Sequence, residues 1–169
     1  GVTTIFVTHD QEEAMSISDL IVVMKLGVVQ QVAAPQKVYD DPTNLFVAKF
    51  LGTPPINTFV GEIKSNKVYI NGEAIMETTL PDQDVYIGIR PEGFIVDENG
   101  IFTCELEQLE VMGRDISIIA KNPACEKPTI RAIVDADTQV PVSGAVKFNL
   151  KPNKVFLFSR ETEERLREN

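Results

Sequence analysis

Hydrophobic residues in the first fifty positions come in continuous runs rather than alternating with polar ones. Thr3-Thr4-Ile5-Phe6-Val7-Thr8 and Leu20-Ile21-Val22-Val23-Met24 are apolar or β-branched throughout, the pattern of strands buried on both faces of a parallel sheet. Between them, Asp10-Gln11-Glu12-Glu13 predicts a helix start, with Asp10 as cap and Glu13 reaching back to the Asp10 N–H, and a short helix to about Ser16. Lys25-Leu26-Gly27 turns the second run into Val28-Val29-Gln30-Gln31-Val32 as a hairpin-like pair. Pro35 opens a short helix as its first residue. Asp41 with Pro42 opens another, which places Phe46/Phe50 and Val47/Leu51 at i, i+4 and stops at Gly52. A strand such as Thr4–Val7 needs neighbours, and no earlier residue supplies them. The expectation is a chain that starts in mid-domain, with both runs covered by a second copy or folded back against the β-rich remainder of the chain.

From Asn57 the pattern changes to short strands separated by tight turns. Phe59–Ile63, Lys67–Ile70 and Glu73–Ile75 are divided by Ser65-Asn66 and Asn71-Gly72, and Val85–Arg90 is stopped by Pro91. The strand from Phe102 keeps Phe102, Cys104 and Leu106 on one face and then slips to Leu109 and Val111, which predicts a β-bulge. Ile116–Ala120, Thr129–Val134, Ala145–Leu150 and Val155–Phe158 come next, and Arg160–Arg167 is expected as a charged terminal helix. Many short strands without crossover helices point to an OB-like β-barrel. The expected fold is therefore mainly β, with a truncated α/β remnant over residues 1–52, a linker over 53–56 around Pro54-Pro55, and an OB-like domain over 57–169.

The net charge of −9 is spread over both parts, which argues against a phosphate-tracking nucleic-acid binder and against a polybasic membrane-surface segment. Two cysteines, Cys104 and Cys125, and a single histidine have no metal-ligand spacing, so no metal site is expected. Cys104, within an alternating strand, is expected as a small buried thiol of a reduced, cytosolic protein. Glu105, Glu107 and Glu110 fit a solvated strand face better than a metal or acid–base pair, and Phe59 and Tyr69 fit a core better than a base-stacking platform.

Two segments are candidates for chemistry. Thr8-His9-Asp10 comes directly after a predicted buried strand, where α/β folds bind ligands. An imidazole there can donate to a phosphate oxygen or accept from a water, or it can be incidental beside a capping aspartate. Arg90-Pro91-Glu92 is either part of a regulatory surface or, as the residues favour, a strand end with a proline stop and a solvated ion pair.

The longer strings bear on this choice. Thr4-Ile5-Phe6-Val7-Thr8-His9-Asp10-Gln11-Glu12-Glu13-Ala14-Met15 resembles the switch-histidine segment of ATP-binding-cassette ATPases. Asp19 to Met24, Gln31, Ala34-Pro35 and Tyr39 to Gly52 extend the likeness to ATPase subunits of maltose-type sugar importers, and Gly88-Ile89-Arg90-Pro91-Glu92, Val111-Met112-Gly113 and Phe156-Leu157-Phe158 continue it more sparsely. Lys25-Leu26-Gly27 and Gln31-Val32-Ala33 depart from the family's usual turn residues.

The resemblance implies that His9 is a switch histidine contacting the ATP γ-phosphate in the intact parent, with ATP and Mg held mostly by residues upstream. It implies as partners a second copy, membrane permease subunits and a regulatory protein or metabolite, at the cytoplasmic face of the membrane. No Gly-x-x-x-x-Gly-Lys occurs and no glycine precedes a lysine, so this chain by itself is expected to bind no cofactor and to be no ATPase. The expected function is the regulatory and dimerisation part of such a subunit. The rivals are an oxyanion-binding barrel of an importer for a non-sugar substrate, and a nucleic-acid-binding OB domain that the acidic charge disfavours.

Overall fold

The computed structural model describes residues 1–169. Its first helix, α1 (Gln11–Ile17), begins where the capping pattern places it: Asp10 Oδ1 accepts from the Glu13 N–H at 3.1 Å. The reciprocal half of the cap differs. The Thr8 hydroxyl oxygen accepts from the Asp10 N–H at 2.9 Å and donates to the Glu13 carboxylate at 3.4 Å, so Glu13 reaches Thr8 instead of Asp10.

Strands β1 (Ile21–Lys25) and β2 (Val28–Ala33) form the expected hairpin around Leu26-Gly27, both with positive φ as a tight two-residue turn demands. Helix α2 (Pro35–Asp40) opens on its proline. Helix α3 (Leu45–Phe50) is capped by Asn44, whose side-chain oxygen accepts from the Val47 N–H at 2.9 Å, and not by the Asp41-Pro42 pair. Ile21 and Val23 pack against Val38, Val47 and Leu51 as the small core of this first lobe.

The reading of two doubly buried strands is corrected here. Thr4–Val7 belongs to no sheet, and Ile5 and Val7 are 89% and 97% exposed. It pairs with no strand of the β domain, and of its apolar residues only Phe6, 42% exposed, is partly covered within the chain. Leu20–Met24 does become a strand, but a single-faced one: Ile21 and Val23 are buried while Leu20, Val22 and Met24 face outward. The physical reason is that a strand requires a hydrogen-bonded neighbour; β2 supplies one to β1, and no sheet edge receives residues 4–7.

The remainder is mainly β, as expected. Strands β3 (Asn57–Lys64), β4 (Lys67–Ile70), β5 (Glu73–Glu77), β6 (Gln83–Ile89), β7 (Phe94–Val96), β8 (Phe102–Met112), β9 (Asp115–Lys121), β10 (Ile130–Asp135), β11 (Ala145–Leu150), β12 (Val155–Ser159) and β13 (Arg165–Leu166) are all antiparallel to their neighbours. One sheet has the order β13-β12-β6-β3-β4-β5 and the other β10-β9-β8-β11-β7, the second curling into the barrel-like form of an OB-like domain. The bulge foreseen in β8 lies between Leu106 and Gln108. Both sheets turn alternate residues into one core, with Phe59 edge-on to Phe102 at 5.4 Å and Phe94 to Phe148 at 5.0 Å.

Strand β12 is buried on both faces. Val155 and Leu157 enter the barrel core, while Phe156 and Phe158 enter a second cluster with Leu45, Ala48 and Ile56. That cluster glues the first lobe to the barrel. The predicted terminal helix is also corrected: after β12 the chain turns, with Glu163 at φ 63°, into the two-residue strand β13 against β12. Its charged residues reach across the molecule, and such distant partners outweigh local helix propensity.

Candidate functional site

His9 lies on the surface between two anchored neighbours. Thr8 is held by its hydroxyl contacts, and Gln11, the first residue of α1, accepts through Oε1 from the Gly52 N–H at 2.6 Å. The imidazole itself is exposed and makes no hydrogen bond within the chain. It is therefore available to an external group while its backbone is fixed. The chain supplies no phosphate cradle around it: Lys25 sits over the Phe46 ring at 5.2 Å, Lys49 is paired with Glu126 at 2.9 Å, and no three His, Cys, Asp or Glu side chains converge as metal ligands. These residues do not fit a complete nucleotide and Mg site.

The second sequence candidate has a different character from the one expected. Arg90 is fully buried, and it is not part of a solvated ion pair. Its guanidinium donates to the Ala48 carbonyl at 2.9 Å, the Leu51 carbonyl at 2.7 Å and the Tyr39 carbonyl at 2.9 Å. These are carbonyls at the ends of α2 and α3, which helical geometry leaves without intrahelical donors. The guanidinium carbon also lies 4.0 Å from the centre of the Tyr39 ring. One side chain of the barrel thus caps two helices of the first lobe.

Negative charge stands nearby at one remove. The Tyr39 hydroxyl donates to the Glu92 carboxylate at 2.6 Å, and Lys154 approaches the same carboxylate at 3.5 Å. Burial, reinforced by the Glu92 hydrogen bond, raises the Tyr39 phenol well above its ordinary range. Burial lowers Arg90 from its ordinary value, with Tyr39, Glu92 and Asp40 opposing; a guanidinium stays charged regardless.

A third cluster fastens the end of the chain to the first lobe. Arg165 donates to the Asp41 carboxylate and to the Pro42 carbonyl, each at 3.1 Å, and Arg167 also bonds Asp41. Burial alone would raise the Asp41 carboxyl; the hydrogen bond and charge of Arg167, with the charge of Arg165, outweigh it and hold the group below its ordinary range. A carboxylate depressed in the folded state contributes stability above its unfolded pKa of about 3.9, and that contribution disappears as pH falls through the lower folded value. The wild-type chain is therefore expected to melt above Asp41→Asn near neutral pH, with the gap closing below about pH 4. Melting curves across that range check this; a gap independent of pH would assign the effect to packing.

Other sequence candidates are dispersed. Glu107 pairs with Lys121 at 3.1 Å and Glu110 with Arg131 at 3.1 Å, so the carboxylates of β8 do not converge. Cys104 is buried and its thiol is pushed up to about 12 by burial; Phe59 is core. A cleft beside α3 is lined by Lys49, Thr58 and Arg131, among others. Two of its three cations, Lys49 and Arg131, already hold carboxylates, and Lys127 is the one without an ion pair. No helix is long and apolar enough to cross a membrane.

Comparison with known proteins bears on all of this. An ABC transporter ATP-binding protein of Mycoplasma pneumoniae is 35% identical over 98% of this chain. The sn-glycerol-3-phosphate import ATP-binding protein of Jannaschia is 31% identical over 98% of it, and the oligosaccharides import ATP-binding protein of Bacillus subtilis 32% over 98%. The chain belongs to the ATP-binding-cassette importer ATP-binding proteins. It spans 28%, 47% and 49% of the length of these relatives, respectively. No family model matches it.

Sequence reasoning named Arg90 and Glu92 but missed what they do, and it missed Tyr39 as the partner of both, Gln11 as the acceptor of the Gly52 N–H, and Asp41 as the acceptor of Arg165 and Arg167. One signal was available. Arg90 is in phase with Gly88 along β6, on the face opposite Val85, Ile87 and Ile89. A glycine in mid-strand marks close approach by another element; a Cβ at 88 would stand 2.7 Å from Ile56.

Proposed function

We infer that this chain is the C-terminal regulatory and dimerisation part of the ATP-hydrolysing subunit of an importer for sugars. The observation that carries the reading is the near-complete match of the chain to import ATP-binding proteins, one of them named for oligosaccharides. In this reading residues 1–52 end the nucleotide-binding domain, 53–56 are the linker, and 57–169 form the regulatory domain. ATP and Mg are held chiefly by residues outside the chain, which alone is not an ATPase. His9 is the switch histidine that contacts the γ-phosphate and helps to position the attacking water. Its exposed imidazole on an anchored backbone is suited to that role. The partners are a second copy, membrane permease subunits at the cytoplasmic face, and a regulatory protein or metabolite bound by the barrel.

Sedimentation and calorimetry on residues 1–169 test the division of labour. A concentration-dependent dimer and no measurable heat on ATP addition are expected. A monomer at every concentration would remove the dimerisation role, and micromolar ATP affinity would place the nucleotide site within this chain.

A further inference from the structure

A single peptide unit, Leu51–Gly52, joins side chains from opposite parts of the molecule. Its carbonyl accepts from Arg90 Nη1 at 2.7 Å, and its N–H donates to Gln11 Oε1 at 2.6 Å. A cation on the oxygen draws electron density through the amide and makes its N–H a stronger donor, so the two bonds reinforce each other. The peptide fits there because residue 52 is glycine. Its φ is +114°, and a Cβ would stand 3.1 Å from both Arg90 Nη1 and the Tyr39 ring.

Gln11 lies two residues beyond His9 and opens α1; Arg90 directly follows β6, an interior strand of the six-stranded sheet of the β domain. The His9 turn is thus pinned on one side by Thr8 and on the other, through one peptide, by the barrel. We propose that Arg90 is a positioning residue for hydrolysis: through the Leu51–Gly52 peptide and Gln11 it holds His9 in register with the β domain, so that a signal received by that domain reaches the histidine. This rests on the reading of His9 as the switch histidine.

In the full-length subunit, Arg90→Lys keeps the charge, but one ammonium cannot serve the Ala48, Leu51 and Tyr39 carbonyls together. Gln11→Met keeps the volume and removes the acceptor. Each is expected to lower kcat about 10- to 100-fold, the scale of a small misplacement of a reacting group, with the KM for ATP changed by less than about twofold. The double variant should be no slower than the slower single one, because both break one chain of bonds. In residues 1–169, Arg90→Lys should also move the Gly52 amide-proton resonance upfield, as its bond to Gln11 weakens. A wild-type kcat for Arg90→Lys, fully additive losses, or an unmoved Gly52 resonance would overturn the proposal. His9→Ala separates the two readings: an inactive variant beside a fully active Arg90→Lys sinks the link alone. An active His9→Ala sinks the role of His9 and the catalytic consequence with it, leaving the Gly52 resonance to report on the bond itself.

Discussion

Replacing Arg90 by alanine is expected to destabilise the chain by about 3–5 kcal/mol, the range for breaking a buried charged network from one side. Three carbonyls lose their donor at once, and each buried acceptor left unpaired costs about 1–3 kcal/mol. The Tyr39 ring loses the cation stacked on it, and the lobes lose one of the contacts that span them. Two effects work in the other direction: water can enter the space vacated, and the desolvation of the guanidinium is relieved. These keep the total below the sum of three lost bonds. Arg90→Met refills the volume without supplying donors and should fall between alanine and wild type. Urea unfolding monitored at several probes measures all three proteins, and a loss below about 1 kcal/mol for Arg90→Ala would mean that water replaces the donors at little expense.

His9→Ala presents the opposite signature. In the full-length subunit it should lower ATP hydrolysis by about 10²–10³, the loss typical of one hydrogen-bond donor aimed at transition-state charge. ATP affinity should be nearly unchanged, because a single contact made late in the reaction contributes little to ground-state binding. Stability should also be unchanged within about 0.5 kcal/mol, since the side chain is exposed and bonds to nothing in the chain. The pairing of a large kinetic effect with none on stability is what distinguishes a reacting group from a structural one. Hydrolysis at the wild-type rate would assign His9 to the surface.

The alternation of apolar residues was enough to locate most of the barrel. Lys67–Ile70 and Ala145–Leu150 have the same bounds in sequence and structure, and the slip after Leu106 marked the bulge. Those features are local: a strand's neighbours in sequence determine which face each residue takes. The features that were not legible depend on distant partners. The three residues of β7 are too few to show a period, and β13 exists only because β12 offers an edge. Arg160 has acceptors at the Gly61 and Val85 carbonyls, and Arg165 at Asp41, so a stretch that looks helical by composition forms a turn and a two-residue strand. At the first segment the failure is of the same kind, because Ile5, Phe6 and Val7 carry the composition of a buried strand but find no edge to join. The commonest rule for arginine is exposure, and Arg90 broke it because two helix ends presented carbonyls to it.

The closing segment of the chain has a mechanical meaning. Asn44 and Glu164 form a bridge, the Leu45 N–H donates to the Glu163 carbonyl at 2.9 Å, and the Arg165 N–H donates to the Thr43 carbonyl at 3.0 Å. Besides the cluster around Phe156 and Phe158, the first lobe is therefore tied to the β domain by the covalent chain through Pro54-Pro55 and by this non-covalent seam. A body held at one point can swivel freely; held at two, it keeps only rotation about the line between them. The Arg90 contact and the apolar cluster are further attachments and resist that as well. Together these attachments act as a weld rather than a tether, so that a push on either lobe is passed to the other.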